Sequence, residues 1–110
     1  MTLLQQMEVE RKQRLEELRL NTRENLEAAL RKLIPNERVI VFGSLTRPGR
    51  FNEGSDIDLA FEAEPDGFSQ YQLSSLLSES LGRPVDVVLL PECRLRDKIR
   101  REGELWTLLA

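Results

Sequence analysis

Two aspartates one residue apart, Asp56 and Asp58, open the stretch Asp56-Ile-Asp-Leu-Ala-Phe-Glu62, which alternates polar and apolar residues in the period of a β-strand. Residues i and i+2 of a strand share a face, so the two carboxylates emerge side by side, with no neutralising charge beside them. Like charges held that close are costly. A pair of Mg²⁺ ions turns the cost into binding, because magnesium takes carboxylate oxygens and keeps substrate phosphates among its other ligands. A third acid, Asp86, interrupts the apolar run Pro84-Val-Asp-Val-Val-Leu-Leu90. Burying an unpaired charge there is expensive, so a position facing Asp56 and Asp58 as a further metal ligand accounts for it. An exposed strand edge with Arg83 as partner is the alternative. The chain has no histidine, which removes Ser-His-Asp and Cys-His triads and His-rich zinc sites. Any deprotonation then falls to a carboxylate, metal-bound hydroxide or solvent, and Asp86 is the candidate base.

Upstream of this pair, Arg38-Val-Ile-Val-Phe42 is short and rich in β-branched residues and ends at Gly43-Ser44, the pattern of a buried strand delivering a tight turn. Gly43 lets the backbone approach a phosphate without a side chain in the way. Ser44 and the N–H groups opening the next turn can donate to phosphate oxygens. Arg47 and Arg50, in the loop marked by Pro48, Gly49, Asn52 and Gly54, are either phosphate contacts or solvated loop charges.

The elements that must position these residues follow from periodicity. Leu3 to Leu33 holds no proline or glycine and places Leu4, Met7, Leu15, Leu18, Leu26, Leu30 and Leu33 at helical spacing. One continuous helix is expected, with Asn21 its one candidate break. Glu8 with Lys12, Glu10 with Arg14 and Glu27 with Arg31 sit four apart along it. Such a helix reaches about 45 Å, so its second half should cover the sheet while its first half projects with exposed leucines that need a partner, in homo-oligomer formation or at another protein's surface, with a coiled coil as the plainer alternative. Ile57, Leu59 and Phe61 should point to the core. A helix from Phe68 to Leu81 ends at Gly82, a strand follows from Pro84 to Leu90, then a short basic helix from Leu95 to Arg101. Glu104 to Leu109 reads as a tail whose Trp106 packs on the core.

A chain of 110 residues is one domain, residues 1–110. Its 40% hydrophobic and 32% charged residues place it among globular proteins. No apolar run approaches the ~20 residues that span a bilayer, so no membrane partner and a cytoplasmic location are expected. One cysteine, Cys93, excludes an internal disulfide. The net charge of −3 gives no overall attraction to nucleic acid, and no direct nucleic-acid binding is expected. Arg94, Arg96, Lys98, Arg100 and Arg101 nonetheless make a local basic cluster, a solvated helix face first and a contact for phosphate, RNA or an acidic partner surface as the alternative.

The run Val39-Ile-Val-Phe-Gly-Ser-Leu-Thr-Arg-Pro-Gly-Arg-Phe-Asn-Glu-Gly-Ser-Asp-Ile-Asp-Leu59 resembles the signature of the DNA polymerase beta-like nucleotidyltransferases, in which a strand ends in Gly-Ser and an Asp-x-Asp opens the next. Two departures are a connection of eleven residues, one longer than is commonest, and Leu45 where arginine often follows Gly-Ser. In size the chain is similar to the minimal nucleotidyltransferases of HEPN–MNT toxin–antitoxin pairs. The resemblance implies an α/β (α+β) nucleotidyltransferase fold, a small mixed sheet with helices packed on it. It implies Asp56, Asp58 and Asp86 as catalytic and metal-binding residues for two Mg²⁺, and Gly43, Ser44, Arg47 and Ser55 as nucleotide contacts. The implied activity is that of a protein adenylyltransferase, moving AMP from ATP to a tyrosine hydroxyl of a HEPN toxin and so acting as its antitoxin. A binding-only antitoxin, or transfer to a small molecule or RNA, stays open as an alternative.

Overall fold

The computed structural model describes all 110 residues, Met1–Ala110. Helix α1 (Leu3–Leu33) runs unbroken through Asn21 and ends where Ile34 leaves helical geometry ahead of Pro35. Its start is a capping box: Thr2 and Gln5 each accept the other's backbone N–H. There follow β1 (Arg38–Phe42), a short 3₁₀ turn (Gly43–Thr46), β2 (Ile57–Phe61), α2 (Gln70–Leu81), β3 (Val85–Leu89), α3 (Arg96–Glu102) and β4 (Glu104–Thr107). The strands form one mixed sheet in the order β3-β2-β1-β4, with β2 and β3 parallel and the other pairs antiparallel.

Strand alternation sorts the sheet into two faces. On one, Val39, Val41, Ile57, Leu59, Phe61, Val85 and Val87 meet Leu26 and Leu30 of α1 and Leu73 and Leu77 of α2 in the main core. Ile57, Leu59 and Phe61 are there as their spacing predicts. On the other, Ala60 packs with Leu90 and with Ile99 of α3, flanked by Ile40, Phe42 and Val88. Asp58 and Asp86 belong to this second face, which α3 covers only in part.

α1 divides as its length requires. Residues 1–14 are all exposed, including Leu3, Leu4, Met7 and Val9, while Leu15 and Leu18 are half-buried. At about 46 Å of helix against a molecule of 53 × 28 × 22 Å, the first half extends beyond the sheet. Of the three expected charge pairs along it, Glu27–Arg31 closes at 2.8 Å and the other two do not form. No helix is long and apolar enough to cross a membrane.

Two elements depart from expectation. The segment read as a tail is a strand: Glu104 to Thr107 pairs with Val41 to Arg38. Its hold is non-local, since Arg23 of α1 grips Glu104 with two hydrogen bonds of 2.7 and 3.1 Å and lies 5.4 Å from the Trp106 ring centre. Trp106 packs against the core as expected. At the opposite edge of the sheet, α2 covers β3 with side chains at i, i+4 and i+8. Ser78 Oγ accepts from Val85 N at 3.0 Å, Ser74 Oγ donates to Val85 O at 2.5 Å, and Gln70 Nε2 donates to Val87 O at 3.4 Å. Valines 85 and 87 are thus pinned on either side of Asp86.

Candidate active site

The turn after β1 depends on glycine for two reasons. Gly43 has φ +79°, a left-handed conformation that costs a side-chain-bearing residue about 1–2 kcal/mol. A Cβ there would also collide with the Asp58 carboxylate. The turn and the strand start that carry the two halves of the motif are therefore packed against each other. Thr46 Oγ1 closes the turn by donating to Gly43 O at 2.8 Å, and Arg47 N donates to Ser44 O at 3.0 Å.

Asp58 and Asp86 are direct partners in the parallel β2–β3 register. Burial holds the Asp58 carboxyl above the usual carboxylate range, and the neighbouring charges of Asp86 and Asp56 push it further the same way. None of the three forms an ion pair. This is a set of hard oxygen donors with no protein cation to neutralise it, and its chemistry fits magnesium. The side chains are nonetheless not drawn into a cage, for no group of three or more His, Cys, Asp or Glu is gathered closely enough to hold an ion. Asp56 lies just ahead of β2 and is exposed, outside the strand expected to begin with it. Asp86 is also exposed, so the argument from burial in an apolar run does not hold: the apolar neighbours Val85 and Val87 face the core and Asp86 faces out. Nor does it pair with Arg83, which is engaged elsewhere.

Two clefts flank Asp58 on this face, with Phe42, Leu95 and Ile99 lining both. The first, about 450 Å³, runs along Gly43, Ser44 and Thr46 and is bordered by Arg47, Arg50 and Lys98. Arg47 is exposed and meets Glu102 at 3.5 Å across it. The second, about 410 Å³, holds Asp58 and Asp86 with Tyr71 and Cys93 in a mainly apolar surround. Gly43, Ser44 and Arg47 are thus brought together in one cleft, Asp58 and Asp86 in the other. Ser55 lines neither: its Oγ accepts from Asn52 N at 3.0 Å and its carbonyl accepts from Arg83 at 2.7 Å, so it shapes the loop before Asp56. Arg83 also donates to Asn52 O at 3.1 Å and lies 4.5 Å from the Phe51 ring centre, tying that loop to the start of β3.

Of the basic cluster, Lys98 leaves the solvated face and borders the cleft along the Gly-Ser turn, as the alternative reading of that cluster allows. The signal was present. Leu95, Lys98, Ile99 and Glu102 fall at i, i+3, i+4 and i+7, one helical face, and that face looks onto the Gly-Ser turn. Tyr71 and Cys93 reach the acidic cleft from α2 and from the segment after β3, a convergence that no local spacing reveals.

The family model for a nucleotidyltransferase domain matches residues 23–106, which include the turn, the cationic cleft and all three aspartates. Among solved structures, the chain is similar to one described as a toxin–antitoxin with AMP-PNP, at 28% identity and a TM-score of 0.56, over 79% of this chain and 72% of that one. No curated protein sequence matches it. Since the match takes in most of the chain, and its Gly-Ser turn and Asp-x-Asp strand touch as the fold requires, the chain belongs to the nucleotidyltransferase domain family.

Proposed function

We propose that the protein is a Mg²⁺-dependent adenylyltransferase and antitoxin that moves AMP from ATP to a hydroxyl of a partner toxin. The observation that carries this reading is the register of Asp58 against Asp86 beside a glycine turn and a cationic cleft. The toxin–antitoxin neighbour with AMP-PNP supports an ATP-like donor and a toxin partner. A HEPN toxin and a tyrosine acceptor are what the sequence resemblance implies.

The division of the face into two clefts suggests the roles. Arg47, Arg50 and Lys98 attract the triphosphate, and the lack of a side chain at Gly43 lets the Asp58 carboxylate pack against the turn that borders their cleft. Asp58 and Asp86, with Asp56 from the loop, would hold magnesium, which supplies charge neutralisation and polarises the entering hydroxyl. Asp86, exposed at the mouth of the apolar cleft, takes the proton of that hydroxyl as it attacks the α-phosphorus. Pyrophosphate leaves along the cationic cleft. Ser55 and Arg83 act on Asp56 only through the loop.

Incubation with α-labelled ATP, Mg²⁺ and the product of the neighbouring gene tests the reading. Label on the partner, lost with EDTA or Asp58→Asn, is the expected outcome. A stable complex without label would identify a binding-only antitoxin. Label on RNA or a small molecule instead would move the acceptor out of the protein class.

A further inference from the structure

The carbonyl oxygen of Leu45 lies inside the Gly43–Thr46 turn without a backbone donor. In a 3₁₀ turn the donor is the N–H three residues on, which here is Pro48. Proline has no N–H, and Arg47 before it is already extended at φ −122°, ψ 110°. Two arginines four residues apart on α1 fill the gap. Arg19 Nη1 donates to Leu45 O at 3.0 Å, and Arg23 Nη1 approaches the same oxygen at 3.5 Å. Arg19 is 8% exposed, and Glu16 fixes the rest of its guanidinium through bonds of 2.9 Å to Nε and 2.7 Å to Nη2. Leu45 is fully buried, so water does not serve the carbonyl in place of the arginines.

We infer that Arg19, with Arg23 beside it, is a positioning residue of the nucleotide site, holding the Gly43-Ser44 turn from its buried side. The bond fixes the peptide plane between Leu45 and Thr46, and through it the backbone that opens the turn toward the cationic cleft. α1 is then a working part of the site as well as a wall of the core. The inference rests on the reading of this turn as the phosphate-binding element, and it deepens that reading. Leu45 suits this place, since its apolar side chain is buried while its carbonyl accepts from α1.

The test is Mg²⁺-ATP affinity by calorimetry, with thermal melting on the same samples of the full chain. Arg19→Met keeps the stem and removes the donors; it should lower stability by the cost of an unpaired buried carbonyl and, because the turn then shifts to find another partner, weaken Mg²⁺-ATP binding by roughly tenfold. It should also speed amide exchange at Ser44 to Thr46. Arg19→Lys, which keeps one donor and the charge, should recover part of the affinity. Arg31→Met, which removes only the exposed pair with Glu27, should bind like the parent. A residue that merely supported the fold would lower the melting temperature and leave the affinity of the folded protein unchanged. Parental affinity in folded Arg19→Met therefore overturns the inference, and Arg19→Gln gives the same comparison where the methionine variant does not fold. Failure of the parent itself to bind Mg²⁺-ATP overturns the phosphate reading of the turn, and the inference with it.

Discussion

Gly43 and Asp58 touch: the side chain that glycine lacks would occupy the space of the aspartate's carboxylate. Gly43→Ala should therefore lose about 1–2 kcal/mol from the left-handed backbone alone. It should also displace Asp58 from its register with Asp86. Urea unfolding with and without Mg²⁺-ATP measures both, and a variant with parental stability and affinity would show that the turn adapts freely.

Asp58 should destabilise the folded chain when no cation is bound. Its carboxyl is raised by burial first and then by Asp86 and Asp56, so the folded state holds the proton more tightly than the unfolded state. Stability should then fall as pH rises from the ordinary carboxylate value through the raised folded value, and the loss is complete above it. In EDTA at neutral pH, Asp58→Asn should melt higher than the parent, with the gap closing in acid. Added Mg²⁺ should raise the parent and not the variant.

Asp86→Asn should separate binding from rate. Asp58, with Asp56 from the loop, retains the ligands that travel with ATP, so Mg²⁺-ATP affinity should stay within several-fold of the parent. Transfer should slow by about 10²–10⁴, the range of a lost general base. Proportional losses in affinity and rate would make Asp86 an ordinary ligand.

Glu104 gives the opposite pH sign to Asp58. Its hydrogen bonds from Arg23, with a smaller contribution from Trp106, hold the carboxyl below the usual range. The stabilisation is present above the unfolded value and disappears as pH falls through the folded one. Being partly exposed, the pair is worth at most about 1 kcal/mol after solvent screening. Glu104→Gln should melt lower than the parent at neutral pH and match it in acid.

Removal of residues 1–14 should leave cooperative unfolding intact, because all of them are exposed and the arginines that hold the Leu45 carbonyl begin at Arg19. Loss of partner binding by that truncated chain, with Mg²⁺-ATP binding preserved, would assign Leu4 and Met7 to the toxin interface. Loss of the cooperative transition would place the first half of α1 in the fold.

What the sequence made legible was local. The long helix, the Gly-Ser turn, the core positions of β2 and the stop at Gly82 each follow from residues a few places apart. β4 escaped because Glu104 and Trp106 are held by Arg23, 81 residues away from Glu104. The exposure of Asp86 escaped for a related reason: an apolar run does not reveal which of its faces is covered, and here α2 seals the edge of β3 while α3 covers only part of the outer face. Arg19 gave no signal at all, its partner being a backbone carbonyl 26 residues downstream.

The serines and glutamine by which α2 clasps β3 bear on how copies of this chain can meet. An uncovered strand edge is a template for further strands, and a sheet open at both ends can grow without limit. Here the β3 end is already occupied by Ser74, Ser78 and Gln70. Strand-to-strand association is left with the β4 end alone, and two copies joined there would close on each other about a twofold axis. The fold thus favours a pair by that route over growth from both ends of the sheet.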